Sequence, residues 1–186
     1  MAHGSSISAD EALERLKDGN ERYVSSCEYH GNICQMRRED LAEKGQNPFA
    51  VVISCSDSRV MPEIIFDAGL GDLFVIRSAG NVVDGCTLGS IEYAVGHMGV
   101  NLVVVLGHTS CGAINEAIKG FHEGHSIEII NDIIQGIGHE HDPIKASRLN
   151  VRNSVKLIKE DLGERLDMKV IGALYDIRSG TVEFDI

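Results

Sequence analysis

No stretch of the 186 residues approaches the roughly 20 consecutive apolar side chains that cross a bilayer. The segment from Met1 to Glu11 lacks both the apolar run of a secretory signal and the arginine-rich character of a transit peptide, so a cytoplasmic location and no membrane partner are expected. Basic residues are scarce: 17 Lys and Arg face 28 Asp and Glu, a net charge of −11. That balance argues against nucleic acid as the partner and for a small molecule. Phosphate cradles are missing too. There is no GxGxxG, and Ala79-Gly80-Asn81 has no Lys-Ser/Thr after it. Internal repeats and low-complexity linkers are absent. Five cysteines make an odd number, which does not suit a disulfide framework and gives weight to metal or catalytic roles.

What is present reads as one α/β domain over residues 1–186, its first 45 residues a helical arm. Apolar residues make up 43% and charged residues 24%, ordinary values for a globular chain. Ser8 with Glu11 forms a capping-box pattern before Ala12, Leu13, Leu16 and Tyr23, predicting a helix over 9–24. A loop follows to Cys34, then a short helix from Arg37 to Lys44. Continuous apolar runs at 49–54, 73–76 and 102–106 have the length and character of strands buried on both faces of a parallel sheet, and Lys169 to Tyr175 supplies a fourth. Helices are expected over Thr87–Met98, Ala113–Phe121, Ile127–Ile134 and Ile144–Leu162, with a loop at Gly136–Asp142. Strands alternating with helices define βαβ units. The alternation in Thr181 to Phe184, after a turn at Ile177–Gly180, suggests an antiparallel edge strand. The expected fold is therefore a mostly parallel central sheet with flanking helices. The N-terminal helix, with little local core to pack on, is expected to lie across a partner subunit.

Chemistry concentrates at two strand ends. Cys55-Ser56-Asp57-Ser58-Arg59 follows the first buried run, and His108-Thr109-Ser110-Cys111 follows the third. In an open parallel sheet, ligands gather at the carboxyl ends of strands, near switch points in strand order. Two thiols and one imidazole are a three-ligand Zn²⁺ set that leaves one coordination position free, as catalytic rather than structural zinc requires.

These two motifs together resemble the paired signature of the β-class carbonic anhydrases. The likeness continues through Gly71 to Asn81, Ser90 to Val95 and Gly172 to Asp176, and covers about residues 10–186. The resemblance implies a zinc lyase that interconverts CO₂ and bicarbonate through a zinc-bound hydroxide. Cys55, His108 and Cys111 would be the ligands. Asp57, held by Arg59, would orient the hydroxide, or in an inactive state become a fourth ligand. Gln46 matches a glutamine that binds substrate or bicarbonate; Phe74 and Tyr93 match aromatics lining the CO₂ cleft, and Gly112 a glycine beside the zinc. In the plant-like branch of the family, which the aromatic positions match, the equivalents of Gln46 and the aromatics can reach across a subunit boundary, so a homodimer or homotetramer is implied. One departure stands out. The bicarbonate-inhibited branch carries a Trp three residues before the first zinc Cys, where this chain has Val52, although Arg77 matches that branch's bicarbonate-binding arginine. Two other readings stay open: hydrolysis of carbon disulfide or carbonyl sulfide, and a zinc-binding protein without turnover. His97, His122, His125, His139 and His141 are solvated or packing residues with no spacing that selects a proton shuttle, and Cys27, Cys34 and Cys86 read as free thiols.

Overall fold

The structure is a computed structural model and describes residues 7–120, 123–163 and 166–186. The strands β1 (Ala50–Cys55), β2 (Leu73–Ser78), β3 (Leu102–His108), β4 (Lys169–Tyr175) and β5 (Val182–Phe184) form one sheet in the order β2-β1-β3-β4-β5. All pairs are parallel except β4 with β5. Every residue of β1 and β3 is buried, which is why their sequences are continuous apolar runs rather than alternating ones. β2, at the edge, is only half-buried.

Around the sheet lie α1 (Ala9–Ser25), α2 (Gln35–Lys44), α3 (Pro62–Ile65), α4 (Gly85–Met98), α5 (Gly112–Lys119), α6 (Ser126–Ile137) and α7 (Pro143–Leu162). The three longest helices begin where the sequence satisfies their free N–H groups. Ser8 accepts from Glu11, Asp84 accepts from Thr87, and Asp142 accepts from Ile144 and Lys145 ahead of Pro143. One face of the sheet packs Val52, Val104 and Leu106 against α1 and Phe66; the other packs Val51, Ile53 and Val105 against Ile91 of α4 and Val151 and Ile158 of α7. A third apolar cluster at the carboxyl end joins Cys55 and Cys111 to Ile114, Ile130 and Ile133. No described helix is long and apolar enough to cross a membrane. The expected helix end at Phe121 falls outside the described residues.

The N-terminal helix corrects one premise, that it has little local core to pack on. Ala12, Leu13 and Leu16 are buried within their own chain, Leu16 completely. Two polar features fasten α1 there. The buried side chain of Asn20 donates to the carbonyls of Ile65 and Gly180 and accepts from the Val182 N–H. At Gly19 the helix comes so close to Phe66 that an added Cβ would lie 1.9 Å from its carbonyl oxygen. Neither device has a hydrophobic signature, so the local core was invisible to an apolar pattern. By contrast, α2 buries no residue against its own chain.

Candidate metal centre

The strand order changes direction at β1, with β2 on one side and β3 on the other. The carboxyl ends of β1 and β3 therefore lie side by side at a switch point, the usual ligand position in such sheets. β1 ends at Cys55 and β3 ends at His108, with Ser54 level with Leu106. After a tight turn through Ser110, whose φ is 58°, Cys111 caps α5. The two sulfurs are 4.0 Å apart, and the donor atoms of Cys55, His108 and Cys111 all fall within 4.8 Å of one another. All three residues are buried.

The donor set fits a metal on its own chemistry. His108 Nδ1 lies 2.9 Å from the Thr109 carbonyl, which makes it the protonated nitrogen. Nε2 is then left with its lone pair, buried and without a hydrogen-bond partner. A buried acceptor with no donor is costly unless a cation takes the lone pair. The sulfur of Cys55 receives N–H groups from Asp57 at 3.4 Å and Gly80 at 3.3 Å. Hydrogen bonding from Cys111, helped by these two amides, pulls the Cys55 thiol well below its usual range against the cost of burial. Cys111, beside that thiolate and buried, is pushed up. A dication would replace the remaining proton.

Beside the cluster, Asp57 and Arg59 form a two-pronged pair: Nε to Oδ1 at 2.9 Å and Nη2 to Oδ2 at 2.7 Å. The Arg59 backbone N–H also donates to Oδ1, and Nη2 reaches the Ser110 carbonyl at 3.2 Å. The Arg59 guanidinium holds the Asp57 carboxyl well below the usual carboxylate range. Asp57 is turned to Arg59 and is not part of the three-residue donor cluster. Arg77 acts from below. Its Nε donates to the Cys55 carbonyl and its Nη2 to the Asp57 carbonyl, so its fork grips the backbone of the loop.

The expected cleft residues separate into two groups. Gly112 opens α5 directly after Cys111. Gln46 is exposed in the loop before β1, at the amino end of the strand, whereas Cys55 is at the carboxyl end; β1 alone spans about 16 Å between them. Phe74 pairs with Val51, about 13 Å along β2 from Ser78, the residue level with Cys55. Its ring lies 6.4 Å from that of Tyr93, which is half exposed and in turn 5.2 Å from His97. Within one chain these aromatics form an outer patch away from the sulfurs. His122 lies outside the described residues. Sequence reasoning did not find the Gly80 amide, the Thr109 carbonyl or the grip of Arg77. A Gly-Asn turn signal at 80–81 marked the first of these; the other two are backbone or backbone-directed contacts with no residue-type signature.

An open, mostly parallel α/β sheet with a Cys-His-Cys cluster at its switch point defines the class: a metal-site protein built on strand ends. The family model for carbonic anhydrase matches residues 50–182, and the chain belongs to that family, in its β class. It is 53% identical over 113 residues to carbonic anhydrase 2 of Mycobacterium tuberculosis, covering 61% of this chain and 54% of that protein. A carbonic anhydrase of Mycolicibacterium smegmatis is 47% identical over 127 residues, covering 68% of this chain and 61% of that protein. The chain thus spans about half the length of these relatives. Among solved structures, a β-carbonic anhydrase of Aspergillus fumigatus superposes with a TM-score of 0.69 at 27% identity, covering 94% of this chain and 89% of that one. A tetrameric β-carbonic anhydrase of Sordaria macrospora gives 0.65 at 28% identity, covering 79% and 84%.

Proposed function

We propose that the chain catalyses reversible hydration of CO₂ to bicarbonate and a proton, as a single catalytic unit holding one Zn²⁺. The observation that carries this reading is the buried, unpartnered Nε2 of His108 facing two sulfurs beside the Asp57–Arg59 pair. Cys55, His108 and Cys111 would hold the ion; when bound, it supplies the Lewis acidity that brings the pKa of water from 15.7 toward about 7. The chain does the rest. Asp57, kept ionised and aimed by Arg59, accepts the hydrogen of the attacking oxygen and turns its lone pair to the carbon of CO₂. Arg77 keeps the Cys55–Asp57 loop from shifting, so that orientation is set before substrate arrives. The amides of Gly80 and Asp57 stabilise the Cys55 thiolate.

Gln46, Phe74 and Tyr93 enter this reading through a second copy of the chain, because within one copy they lie at or toward the other end of the sheet. The exposed α2 and the aromatic patch on the β2 edge support a homodimer or homotetramer. Stopped-flow CO₂ hydration by zinc-loaded protein tests the function: a metal-dependent rate rising toward alkaline pH is expected. Absence of any rate at full zinc occupancy would overturn it and move attention to carbon disulfide or carbonyl sulfide.

A further inference from the structure

The Gly80 amide that donates to the Cys55 sulfur belongs to a turn held in place from outside. Gly80 and Asn81 both have left-handed backbones, with φ of 67° and 47°, a conformation that costs free energy at a residue with a side chain. Asn81 is buried, and its Nδ2 finds no hydrogen-bond partner among the described residues, so its own side chain does not offset that cost. The supports come from α7. Asn150 Nδ2 donates to the Gly80 carbonyl at 2.8 Å, and Ser154 Oγ donates to the Asn81 carbonyl at 3.3 Å. These two residues sit one helical turn apart on one face of α7, and both are buried. The turn thus has its two carbonyls tied to a helix and its Gly80 N–H spent on a sulfur, at 3.3 Å.

We propose that Asn150, aided by Ser154, is a positioning residue for the metal centre: by tying down the carbonyl side of the Gly80 turn it keeps the Gly80 N–H on the Cys55 sulfur, and so limits how much charge that sulfur gives a bound metal. The path is short. It runs from α7 through one hydrogen bond, one glycine and a second hydrogen bond to the sulfur, all among buried residues. Glycine changes φ and ψ more freely than any other residue, so an untethered Gly80 would turn its N–H away at little cost. An N–H donated to a thiolate draws electron density back from the metal, which leaves the metal a stronger Lewis acid. Groups that orient and tune ligands in this way typically govern about 10–100-fold in metal affinity or activity. The proposal rests on the reading of Cys55 as a metal ligand.

The experiment loads the parent, Asn150→Leu and Ser154→Ala with Co²⁺ and records the near-ultraviolet sulfur-to-cobalt charge-transfer band, with Zn²⁺ affinity measured by chelator competition. Losing the N–H raises the energy of the sulfur lone pairs, so the band should move to longer wavelength in Asn150→Leu and by less in Ser154→Ala. Affinity for Zn²⁺ should fall about tenfold in Asn150→Leu. Ile158→Ala is the control: it truncates a buried apolar side chain on the same helix and removes no hydrogen bond, so it should lower the thermal midpoint and leave the band in place. Ser154→Ala removes only a hydroxyl, and its band decides the matter should Asn150→Leu fail to fold. A band that stays put in the folded variants, or that Ile158→Ala shifts equally, would overturn the positioning role, while a parent that shows the band keeps the metal reading standing. A parent that takes up Co²⁺ without any sulfur band overturns both.

Discussion

Two arginines with different tasks meet at Asp57. Arg59 holds the carboxylate and Arg77 holds the backbone that carries it. Asp57→Asn should keep stoichiometric zinc by metal analysis yet lose about 10²-fold in kcat/KM, the scale of a misoriented reacting group. Because Arg59 depresses the Asp57 pKa, its folded value lies below the unfolded value of about 3.9. The carboxylate is therefore charged throughout neutral and alkaline pH, and any contribution of the pair to stability is lost only as pH falls through that depressed value. The pH–rate curve of the Asn variant should accordingly keep the same alkaline inflection as the parent, at lower amplitude; a shifted inflection would mean that Asp57 is what titrates. Gly80 carries the other thiolate contact. Its φ is 67°, and an added Cβ would meet Ile133 Cδ1 at 2.7 Å. Gly80→Ala should cost about 1–3 kcal/mol in denaturant unfolding.

At the scale of elements, β1 and β3 were legible because burial on both faces writes itself as unbroken apolar runs, and the positions of Cys55 and His108 followed from where those runs stop; the run at 73–76 gave β2 but not its half-exposed place at the sheet edge. The cluster of Cys55, His108 and Cys111 was legible for the same reason. The 3-10 turn at Ala79–Asn81 and the short α3 were not, being too brief to show a period. The local core under α1 was missed since its docking depends on Gly19 and Asn20, a missing side chain and a polar one. That docking predicts an inverted propensity effect. Gly to Ala inside an exposed helix stabilises by about 1 kcal/mol, whereas Gly19→Ala must push α1 off the Phe66 carbonyl. A lower thermal midpoint for this variant is expected, and a higher one would show that α1 does not pack as described.

For the whole molecule, completion of the site from a second copy can be tested by mixing. Cys55→Ser removes a proposed metal ligand, and Gln46→Ala leaves the Cys-His-Cys cluster intact but removes the distant amide. Each alone should be poorly active, while hetero-oligomers refolded from both contain sites with zinc from one chain and Gln46 from the other, so activity should reappear in stopped-flow assays of the mixture. No recovery, with mixed assembly verified, would place Gln46 outside the site. The ligand geometry has a mechanical side as well. Cys55 and Cys111 are 56 positions apart, and an ion between them would clasp the ends of that span as a cross-link does. The span contains β2, α4 and β3. Closing it removes disorder from the unfolded chain by an amount that grows only slowly with loop length, and the clasp ties the end of β1 to β2 and β3. Chelation should then lower the thermal midpoint by several degrees and increase hydrogen exchange in β1 and β3 together. An ion proposed for its reactivity would then also be the buckle that keeps the central strands in register.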